Sequence, residues 1–410
     1  MKIEVLTVGD EILSGNIVDT NFAWIGDYLW SHGYELHVHS SVGDDPEPIT
    51  KAINLAASRS QVVIVTGGLG PTIDDITIET ASKAFGMPQV LFPEALEKIK
   101  ARFEKLNRPM AANNEKQARL PEGSTVIPND NGTAPGCHIA FQNTHFFFLP
   151  GVPREMKKMC EDYVFPKIKE LSPVKTEFCQ KVLRCFGMTE SAMDRELASV
   201  DLTDVDLAFR IFFPEILLKI SARGSDLNKV QKRVHEVEAF VRDRLGDVIY
   251  GEGEEMLPQW VGRVLTERGE SLSVAESCTG GLLASLITDV PGSSKYFKEG
   301  VVTYSNESKQ DLLAVPSEVL KNHGAVSAET AIAMAEGLRK RAGTTYALSM
   351  TGIAGPDGGS PDKPVGTVHI ALSSPSGTQE RKLFFPASRE WFKRLVAFSS
   401  LDILRKHLIH

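Results

Sequence analysis

Residues 62–75 read VVIVTGGLGPTIDD, an apolar run that leads directly into three glycines and then two adjacent acids. The apolar run is typical of a buried strand, and glycines at its end let the backbone turn tightly with positive φ. Exposed N–H groups at such a turn, just before a helix, form a site for an anion. Asp74 and Asp75 would repel a phosphate there unless a cation lay between them, so the stretch predicts a phosphate site with a divalent metal of unknown identity. The alternative is a plain glycine turn with acids that complement a helix dipole.

The sequence on either side of this stretch alternates between strand and helix patterns. Residues 3–8 and 36–42 read as short strands, and helical spacing follows each of them. This alternation predicts a doubly wound α/β domain over residues 1–170, with a mainly parallel sheet. Ligands of such sheets bind at the carboxyl ends of the strands. The candidate ligand-binding residues there are Asp10, Glu11, Asn21, Gly67, Gly68, Gly70, Thr72 and Asp74, although Asn21 could equally help to cap a helix.

A different pattern occupies residues 171–252. Two strands broken at Pro214 precede a helix over residues 227–245, which predicts a small α+β domain. No GXXG loop of the RNA-binding kind lies between residues 175 and 250, so a spacer or dimer contact is expected there rather than RNA binding. A formal SxxK match at residues 172–175 contains a proline and is not expected to form a helical turn. Residues 251–255 read as a linker.

Strand and helix patterns alternate again over residues 256–410, where three polar strings interrupt them. The strings are AESCTGG at 275–281, PGSSKYFKEGVVTYSNESK at 291–309 and TGIAGPDGG at 351–359. Glycine-rich turns at strand ends direct N–H groups at an anion or an oxyanion. The C-terminal part is therefore a second α/β domain with its own candidate site.

The composition narrows the class of protein. Hydrophobic residues make up 42% and charged residues 24% of the 410 residues, which is ordinary for a globular protein. The net charge of −8 argues against a long contact with nucleic acid. Five cysteines without a CxxC pair favour a reducing compartment. With no signal peptide pattern and no long apolar run, we expect a cytoplasmic protein without membrane contact.

Several strings resemble known families. GDE at 9–11, VGDD at 42–45 and TGGLGPTIDD resemble the molybdopterin-binding (MoaB- and MoeA-like) domain. NRPMAANNEKQARLP, NGTAPG and LPGVPREM resemble the CinA family in particular. The resemblance implies a KH-like middle domain and an N-terminal domain that cleaves ADP-ribose to AMP and ribose 5-phosphate, with Asp44 and Asp75 as metal ligands. The alternative is an N-terminal domain that only binds a pterin or a nucleotide.

The C-terminal strings resemble the CinA C-terminal domain over residues 256–410, which implies hydrolysis of nicotinamide mononucleotide to nicotinic acid mononucleotide and ammonia without a cofactor. Amide hydrolysis needs a nucleophile, a base and an oxyanion site. The resemblance implies Ser294 as nucleophile, activated by Tyr304 and by a neutral Lys309. The other catalytic residues that it implies are Thr351, Gly352 and Arg389, and the expected substrate contacts are Glu276, Thr279, Gly280, Gly281, Asn306 and Gly355.

Two alternatives to this interpretation remain. Cys278 is a rival nucleophile because it precedes a helix, where a thiolate is favoured, but no His–Asp pair lies near it in sequence. The family label "competence/damage-inducible" suggests a DNA-associated interaction protein, which the acidic charge opposes. We therefore expect a pyridine-nucleotide salvage hydrolase with two active domains, as a homodimer.

Overall fold

The structure is a computed structural model that describes residues 1–172 and 177–410. The described residues form two compact units, one of Met1–Phe178 with Arg223–Leu227 and one of Cys179–Ala222 with Asn228–His410. The SxxK match at 172–175 therefore falls largely outside the described residues. Among the described residues, no helix combines the length and apolar character needed to cross a bilayer.

The N-terminal domain is an α/β fold around one mixed sheet of order β2-β1-β3-β8-β7-β6, beside a small β4-β5 pair. Its strands are Ile3–Val8 (β1), Leu36–Val42 (β2), Val62–Thr66 (β3), Gln89–Leu91 (β4), Arg119–Pro121 (β5), Thr125–Ile127 (β6), Gly136–Phe141 (β7) and Thr144–Leu149 (β8). Its helices are Asp10–Leu13 (α1), Thr20–Ser31 (α2), Pro46–Arg59 (α3), Thr77–Phe85 (α4), Pro93–Lys105 (α5), Pro153–Met159 (α6) and Phe165–Leu171 (α7).

Helices cover both faces of this sheet, because β1 and β3 are buried at every position and carry apolar side chains on both sides. Strands β2, β1, β3 and β8 pair in parallel, whereas β7 and β6 pair antiparallel. The expected mainly parallel sheet is thus mixed, since a hairpin adds its antiparallel strands at one side. The parallel strands end on the same edge, and that edge collects the loops after β1, β2, β3 and β8.

The middle domain is an antiparallel sheet of order β10-β11-β9-β12 with two helices. Its elements are Glu177–Cys185 (β9), Glu190–Leu197 (α8), Asp206–Phe212 (β10), Glu215–Gly224 (β11), Leu227–Leu245 (α9) and Ile249–Glu252 (β12). The two strands on either side of Pro214 and the long helix match the sequence prediction.

The expected linker at residues 251–255 is wrong in its first part, because β12 pairs with β9 there. Its glycines and acids look like a linker, but Glu252 is paired with Lys181 at 3.0 Å. Phe186 and Tyr250 also pack into the apolar core of the C-terminal domain. The middle and C-terminal domains accordingly fold as parts of one compact unit.

The C-terminal domain is a mixed sheet of order β14-β13-β15-β16-β17 covered by helices. Its strands are Leu272–Glu276 (β13), Phe297–Val302 (β14), Tyr346–Gly352 (β15), Thr367–Ser374 (β16) and Gly377–Phe384 (β17). Its helices are Leu257–Arg268 (α10), Leu282–Thr288 (α11), Asn306–Leu313 (α12), Ser317–His323 (α13), Ala328–Ala342 (α14) and Arg389–Ile409 (α15).

Strands β14, β13 and β15 are parallel, so their carboxyl ends share one edge, while β16 and β17 form an antiparallel hairpin. The sequence did not predict β17, because this edge strand is polar, has no buried position and shows no clear alternation. The position of β14 matters for the site, because Ser294 precedes this strand and Tyr304 follows it.

Candidate active sites

Lys309 is the centre of the C-terminal site. It lies on α12, and only 1% of its surface is exposed. Its Nζ donates to Ser277 Oγ at 3.2 Å and to the carbonyl of Thr303 at 2.7 Å. Burial lowers the pKa of Lys309, because a charged ammonium loses hydration there. A buried lysine of this kind can act as a base toward the hydroxyl that it touches.

Ser277 directly follows β13, in the turn of the AESCTGG string. The carboxylate of Glu276 fixes this turn by accepting from the backbone N–H groups of Gly281, Leu283 and Ala284 at 2.8–3.1 Å. Glu276 was expected to contact substrate, but its carboxylate caps the start of α11 instead. The consequence is a rigid turn that holds Ser277 against Lys309.

The predicted Ser294–Lys309 pair is contradicted by the sheet. Ser294 is exposed in a 3-10 turn (Ser293–Lys295) before β14, whereas Lys309 follows the other end of that strand. A six-residue strand spans roughly 20 Å, far beyond hydrogen-bond reach. The serine that contacts Lys309 is Ser277, which was not predicted as a site residue although it lies in the AESCTGG string. Its signal was its place at the carboxyl end of a parallel strand.

Arg389 joins two other predicted residues at this site. Its guanidinium donates to the Gly355 carbonyl at 2.9 Å and to the Tyr304 hydroxyl at 3.2 Å. Tyr304 is mostly exposed, and its own carbonyl lies 3.5 Å from Lys309 Nζ. Arg389 therefore places a positive charge near the lysine, where it could hold an anionic part of a substrate. The Tyr304 hydroxyl is bound to Arg389, and the hydrogen bonds of Lys309 go to Ser277 and to backbone carbonyls.

Two buried threonine hydroxyls near Lys309 have no hydrogen-bond partner among the described residues, those of Thr279 and Thr303. Thr279 lies in the Ser277 turn, and Thr303 supplies the carbonyl that holds Lys309. A buried hydroxyl without a partner is costly, so a ligand or water is expected to satisfy it. Thr279 was predicted to contact substrate, and its free hydroxyl is compatible with that prediction.

The remaining predicted residues line the same edge of the sheet in different ways. Thr351 is buried and donates to the Ala325 carbonyl at 2.7 Å, which ties up its hydroxyl. Gly352 has no room for a side chain against the backbone of β16. Gly280 and Gly281 adopt positive φ in the turn after Ser277, and Asn306 is an exposed first residue of α12. Thr351 and Gly352 thus shape the site through packing.

Cys278 does not have the properties of a nucleophile. It is buried beside Ser277, and burial raises the pKa of its thiol to about 12. The nearby charges of Lys309 and Arg389 oppose that shift but do not outweigh it. Because the reactive form is the thiolate, a thiol with such a pKa is inert near neutral pH.

The N-terminal site is a cavity of about 500 Å³ at the carboxyl edge of the sheet. Predicted residues converge there, including the glycine turn. The predicted residues in its lining are Glu11, Asn21, Asp44, Gly67, Gly68, Gly70, Asp74 and Asp75. Gly67 and Gly68 have positive φ, and a side chain at either would collide with Val8 or Thr77. The turn is consequently a glycine-dependent cradle, as the sequence predicted.

Asp44 lies close to the other acids of this cavity. It accepts from the Asp10 N–H at 3.0 Å, and Asp10 accepts in turn from the Asp44 N–H at 3.2 Å. Burial raises the pKa of Asp44, and the negative charges of Asp10, Glu11 and Asp74 raise it further. Acids held this close favour the arrival of a cation.

The side chain of Asp75 accepts hydrogen bonds from within its own loop. Its carboxylate accepts from the Thr72 N–H at 2.9 Å and from the Thr72 hydroxyl, and a side chain at Gly70 would collide with it. The predicted metal ligand therefore holds the loop in shape, and one of its oxygens carries both Thr72 bonds. Asp74 is its exposed neighbour, and the nearby Thr72 side chain together with a backbone N–H holds the pKa of Asp74 below its ordinary value.

The acids of the N-terminal cavity could hold a divalent metal ion only together with the phosphates of a bound substrate. Among the described residues, no three or more His, Cys, Asp or Glu side chains come together as a metal-binding group. Mg²⁺, however, commonly binds through one or two carboxylates together with substrate phosphates. Asp44, with its raised pKa, is the residue that would hold such an ion, which would supply charge neutralisation to a bound phosphate.

Asp19, at the wall of this cavity, was not predicted as a site residue. Asp19 caps α2 by accepting from Phe22 N–H at 2.8 Å, which leaves Asn21 inside the helix rather than at its cap. Burial tends to raise the pKa of Asp19, but the contacts with His39 at 3.2 Å and with Thr7 at 2.6 Å lower it overall. Asn21 donates to Gly151 at 2.8 Å, and its buried Oδ1 has no partner in the described structure. That oxygen is free to receive a ligand donor.

The NGTAPG string forms a loop at the same cavity. Asn129 holds it by accepting from the N–H groups of Asn131 and Gly132 and by donating to Glu155 Oε2 at 2.7 Å. Thr133 and Glu155 line the cavity, and neither was predicted as a site residue. The NGTAPG and LPGVPREM strings lie far from the glycine turn in sequence, and only the fold brings them to the same cavity.

Comparison with known sequences divides the chain in the same three parts. Residues 4–170 match the family described as "Probable molybdopterin binding domain", residues 180–251 the "Damage-inducible protein CinA KH domain" and residues 254–408 the "CinA C-terminal domain". The architecture is therefore a MoaB-like N-terminal domain, a KH-like middle domain and a CinA C-terminal domain.

Full-length relatives share this arrangement. A "CinA-like protein" of Geotalea uraniireducens is 43% identical over 411 residues, covering 100% of this chain and 98% of the relative. A second "CinA-like protein", from Syntrophotalea carbinolica, is 42% identical and covers 100% and 98%. The crystal structure of competence/damage inducible protein CihA from Agrobacterium tumefaciens is 39% identical with a TM-score of 0.37, covering 38% of this chain and 95% of that one. The chain belongs to the CinA family.

Proposed function

We propose that the C-terminal domain hydrolyses the carboxamide of a nicotinamide nucleotide, with nicotinamide mononucleotide as the substrate that the family resemblance implies. The observation that carries the proposal is the contact between Ser277 Oγ and Lys309 Nζ at 3.2 Å inside a buried site. A serine hydroxyl becomes a nucleophile when a neighbouring base takes its proton. The lowered pKa of Lys309 supports that role, since the neutral amine is then accessible nearer to neutral pH.

The proposed steps use the contacts of Ser277 and Lys309. Lys309 takes the Ser277 proton while Oγ attacks the amide carbon, and the tetrahedral intermediate then releases ammonia with a proton from Lys309. Water repeats the sequence on the acyl-enzyme and frees the carboxylate product. The Thr279 hydroxyl is available to the intermediate, and Arg389 is available to the phosphate of the substrate.

The test is ammonia release from nicotinamide mononucleotide by the full chain. Wild type should release ammonia and the carboxylate product, whereas Ser277→Ala should not. Ser294→Ala and Cys278→Ala serve as matched controls, because both keep the Ser277–Lys309 contact. An active Ser277→Ala enzyme would refute the serine assignment, and no ammonia from wild type would refute the amidase.

We propose a second function for the N-terminal cavity, the metal-dependent cleavage of ADP-ribose to AMP and ribose 5-phosphate. The supporting observation is that the glycine turn and Asp44 line the same cavity. Burial and neighbouring acids raise the pKa of Asp44 there. A divalent ion bound with the substrate would neutralise the phosphates and acidify a water. The alternative, pterin or nucleotide binding without turnover, uses the same cradle.

The two alternatives differ in turnover. The full chain should convert ADP-ribose only when Mg²⁺ or Mn²⁺ is present, and EDTA should stop the reaction. Tight ADP-ribose binding without any AMP, under either metal, would support the binding module instead. DNA association, suggested by the competence label of the relatives, is checked by filter binding at low salt.

A further inference from the structure

The tip of the β10–β11 hairpin in the middle domain reaches the helix that carries Arg389. The rings of Phe213 and Trp391 stack with centroids 4.3 Å apart and planes 30° apart. Both residues belong to the same compact unit. Trp391 is about half exposed, so the Phe213 ring covers one part of a side chain that otherwise faces solvent.

Trp391 lies in the first turn of α15, two residues after Arg389. Ser388 caps this turn, and its carbonyl accepts from the Phe392 N–H at 2.8 Å. The first turn of a helix is the part that most readily frays. A stacked partner on Trp391 therefore restrains the same turn that directs Arg389 toward Gly355 and Tyr304.

The hairpin tip is itself firmly held. Glu215, two residues after Phe213, is fully buried and accepts from Arg184 Nη1 at 2.8 Å and from the Tyr250 hydroxyl. The N–H of Leu257, at the start of α10, donates to the same carboxylate at 3.4 Å. Arg184 also lies over the Phe212 ring at 5.9 Å. This network ties the tip to the C-terminal domain, so Phe213 is a fixed support for Trp391.

We infer that Phe213 is a positioning residue for the C-terminal site: through Trp391 it holds Arg389 where it binds the anionic group of the substrate. The inference rests on the proposed amidase function. It gives the middle domain a part in substrate selection, beyond the spacer or dimer contact expected from sequence. Its effect is confined to substrates with an anion, because Ser277 and Lys309 lie on other elements.

The kinetic test compares two amides that differ only in the phosphate, nicotinamide mononucleotide and nicotinamide riboside, with the full chain. Phe213→Ala should raise KM for the phosphorylated amide about two- to tenfold, the range that a stacked aromatic pair contributes. Its kcat should stay near wild type, and the riboside kinetics should not change. Phe213→Tyr keeps the ring and should restore KM, and Ile211→Ala on the same hairpin, at an exposed position, is the matched control.

Hydrogen exchange supplies a readout that does not need catalysis. The amides of Trp391 and Phe392 should exchange faster in Phe213→Ala than in wild type and Ile211→Ala. Trp391→Ala removes the same stack from the exposed side and should reproduce both effects if Phe213→Ala fails to fold. Unchanged exchange in the first turn of α15, or an equal KM change for both amides, would overturn the inference. If wild type hydrolyses neither amide, the amidase proposal fails while the exchange result still decides whether Phe213 restrains this turn.

Discussion

The N-terminal and C-terminal sites lie on similar α/β scaffolds, but one gathers carboxylates whereas the other buries an amine. Each lies at the carboxyl edge of parallel strands, and each has a glycine turn after a buried strand. In the N-terminal cavity, burial raises the pKa of Asp44, and repulsion from the neighbouring acids raises it further. The C-terminal site instead buries the amine of Lys309, whose hydrogen bonds go to a hydroxyl and to carbonyls. The first arrangement would need a cation from solution, whereas the second places the proposed nucleophile beside the proposed base.

The sharpest test of this contrast is the Ser277–Lys309 pair. Ser277→Ala and Lys309→Ala should each lower the amidase rate on the order of 10⁴–10⁶-fold, because residues that act as one unit fail together. The double variant should be little worse than either single variant. Steady-state ammonia release gives the rates, and Ser294→Ala should remain within about twofold of wild type in the same assay. Additive losses in the double variant would show that the two residues act separately.

The role of the acids in the N-terminal cavity is tested by a substitution of Asp44. Asp44→Asn should lower metal-dependent ADP-ribose cleavage on the order of 10²-fold, comparable to losing one electrostatic stabiliser of a transition state. Amide hydrolysis in the same preparation should not change, since Asp44 belongs to the other compact unit. Product analysis by mass spectrometry measures both reactions in one sample. A pyrophosphatase rate that survives Asp44→Asn would place the metal on other residues.

The buried amine predicts a pH dependence. Lys309 must be neutral to act, and burial lowers its pKa from the ordinary value for lysine, so kcat/KM should rise with pH until that lowered pKa is passed. Below the pKa the rise should be about tenfold per pH unit, because the neutral fraction grows by that factor. Titration of Cys278 to a thiolate would favour the charged lysine, but the Cys278 pKa of about 12 keeps that effect at high pH. A flat profile from pH 6 to 9 would argue against Lys309 as the base.

The smallest expected effect concerns Glu276, whose buried carboxylate shapes the Ser277 turn. Glu276→Gln should reduce the free energy of unfolding by about 1.5–3 kcal/mol, since it weakens hydrogen bonds made to a charged group. Urea unfolding of the full chain measures it. The control is Glu267→Gln, because Glu267 is mostly exposed and its pair with Arg263 should contribute little. Equal stability of the two variants would show that Glu276 does not hold the turn.

Sequence patterns predicted the three domains, the glycine cradle and the clustering of acids, because each depends on a short stretch at the end of one strand. Pairings between distant strings were harder to predict. Ser277 and Ser294 are both polar residues in glycine-containing strings, and only the position and direction of β14 show which of them meets Lys309. Similarly, the role of Glu276 as a cap depends on where α11 begins. Spacing along the chain does not contain that information.

The burial of the Cys278 thiol has a consequence for the reactivity of the proposed C-terminal site toward chemical reagents. An accessible cysteine thiolate beside the proposed nucleophile would be open to alkylation and to oxidation to a sulfenic acid, both of which follow thiolate character and exposure. Here the thiol is both protonated and 5% exposed. Iodoacetamide and peroxide should therefore leave the amidase intact at neutral pH, while a serine-directed electrophile should acylate Ser277. Covalent inhibitors of this site are accordingly to be sought among reagents for hydroxyls rather than for thiols.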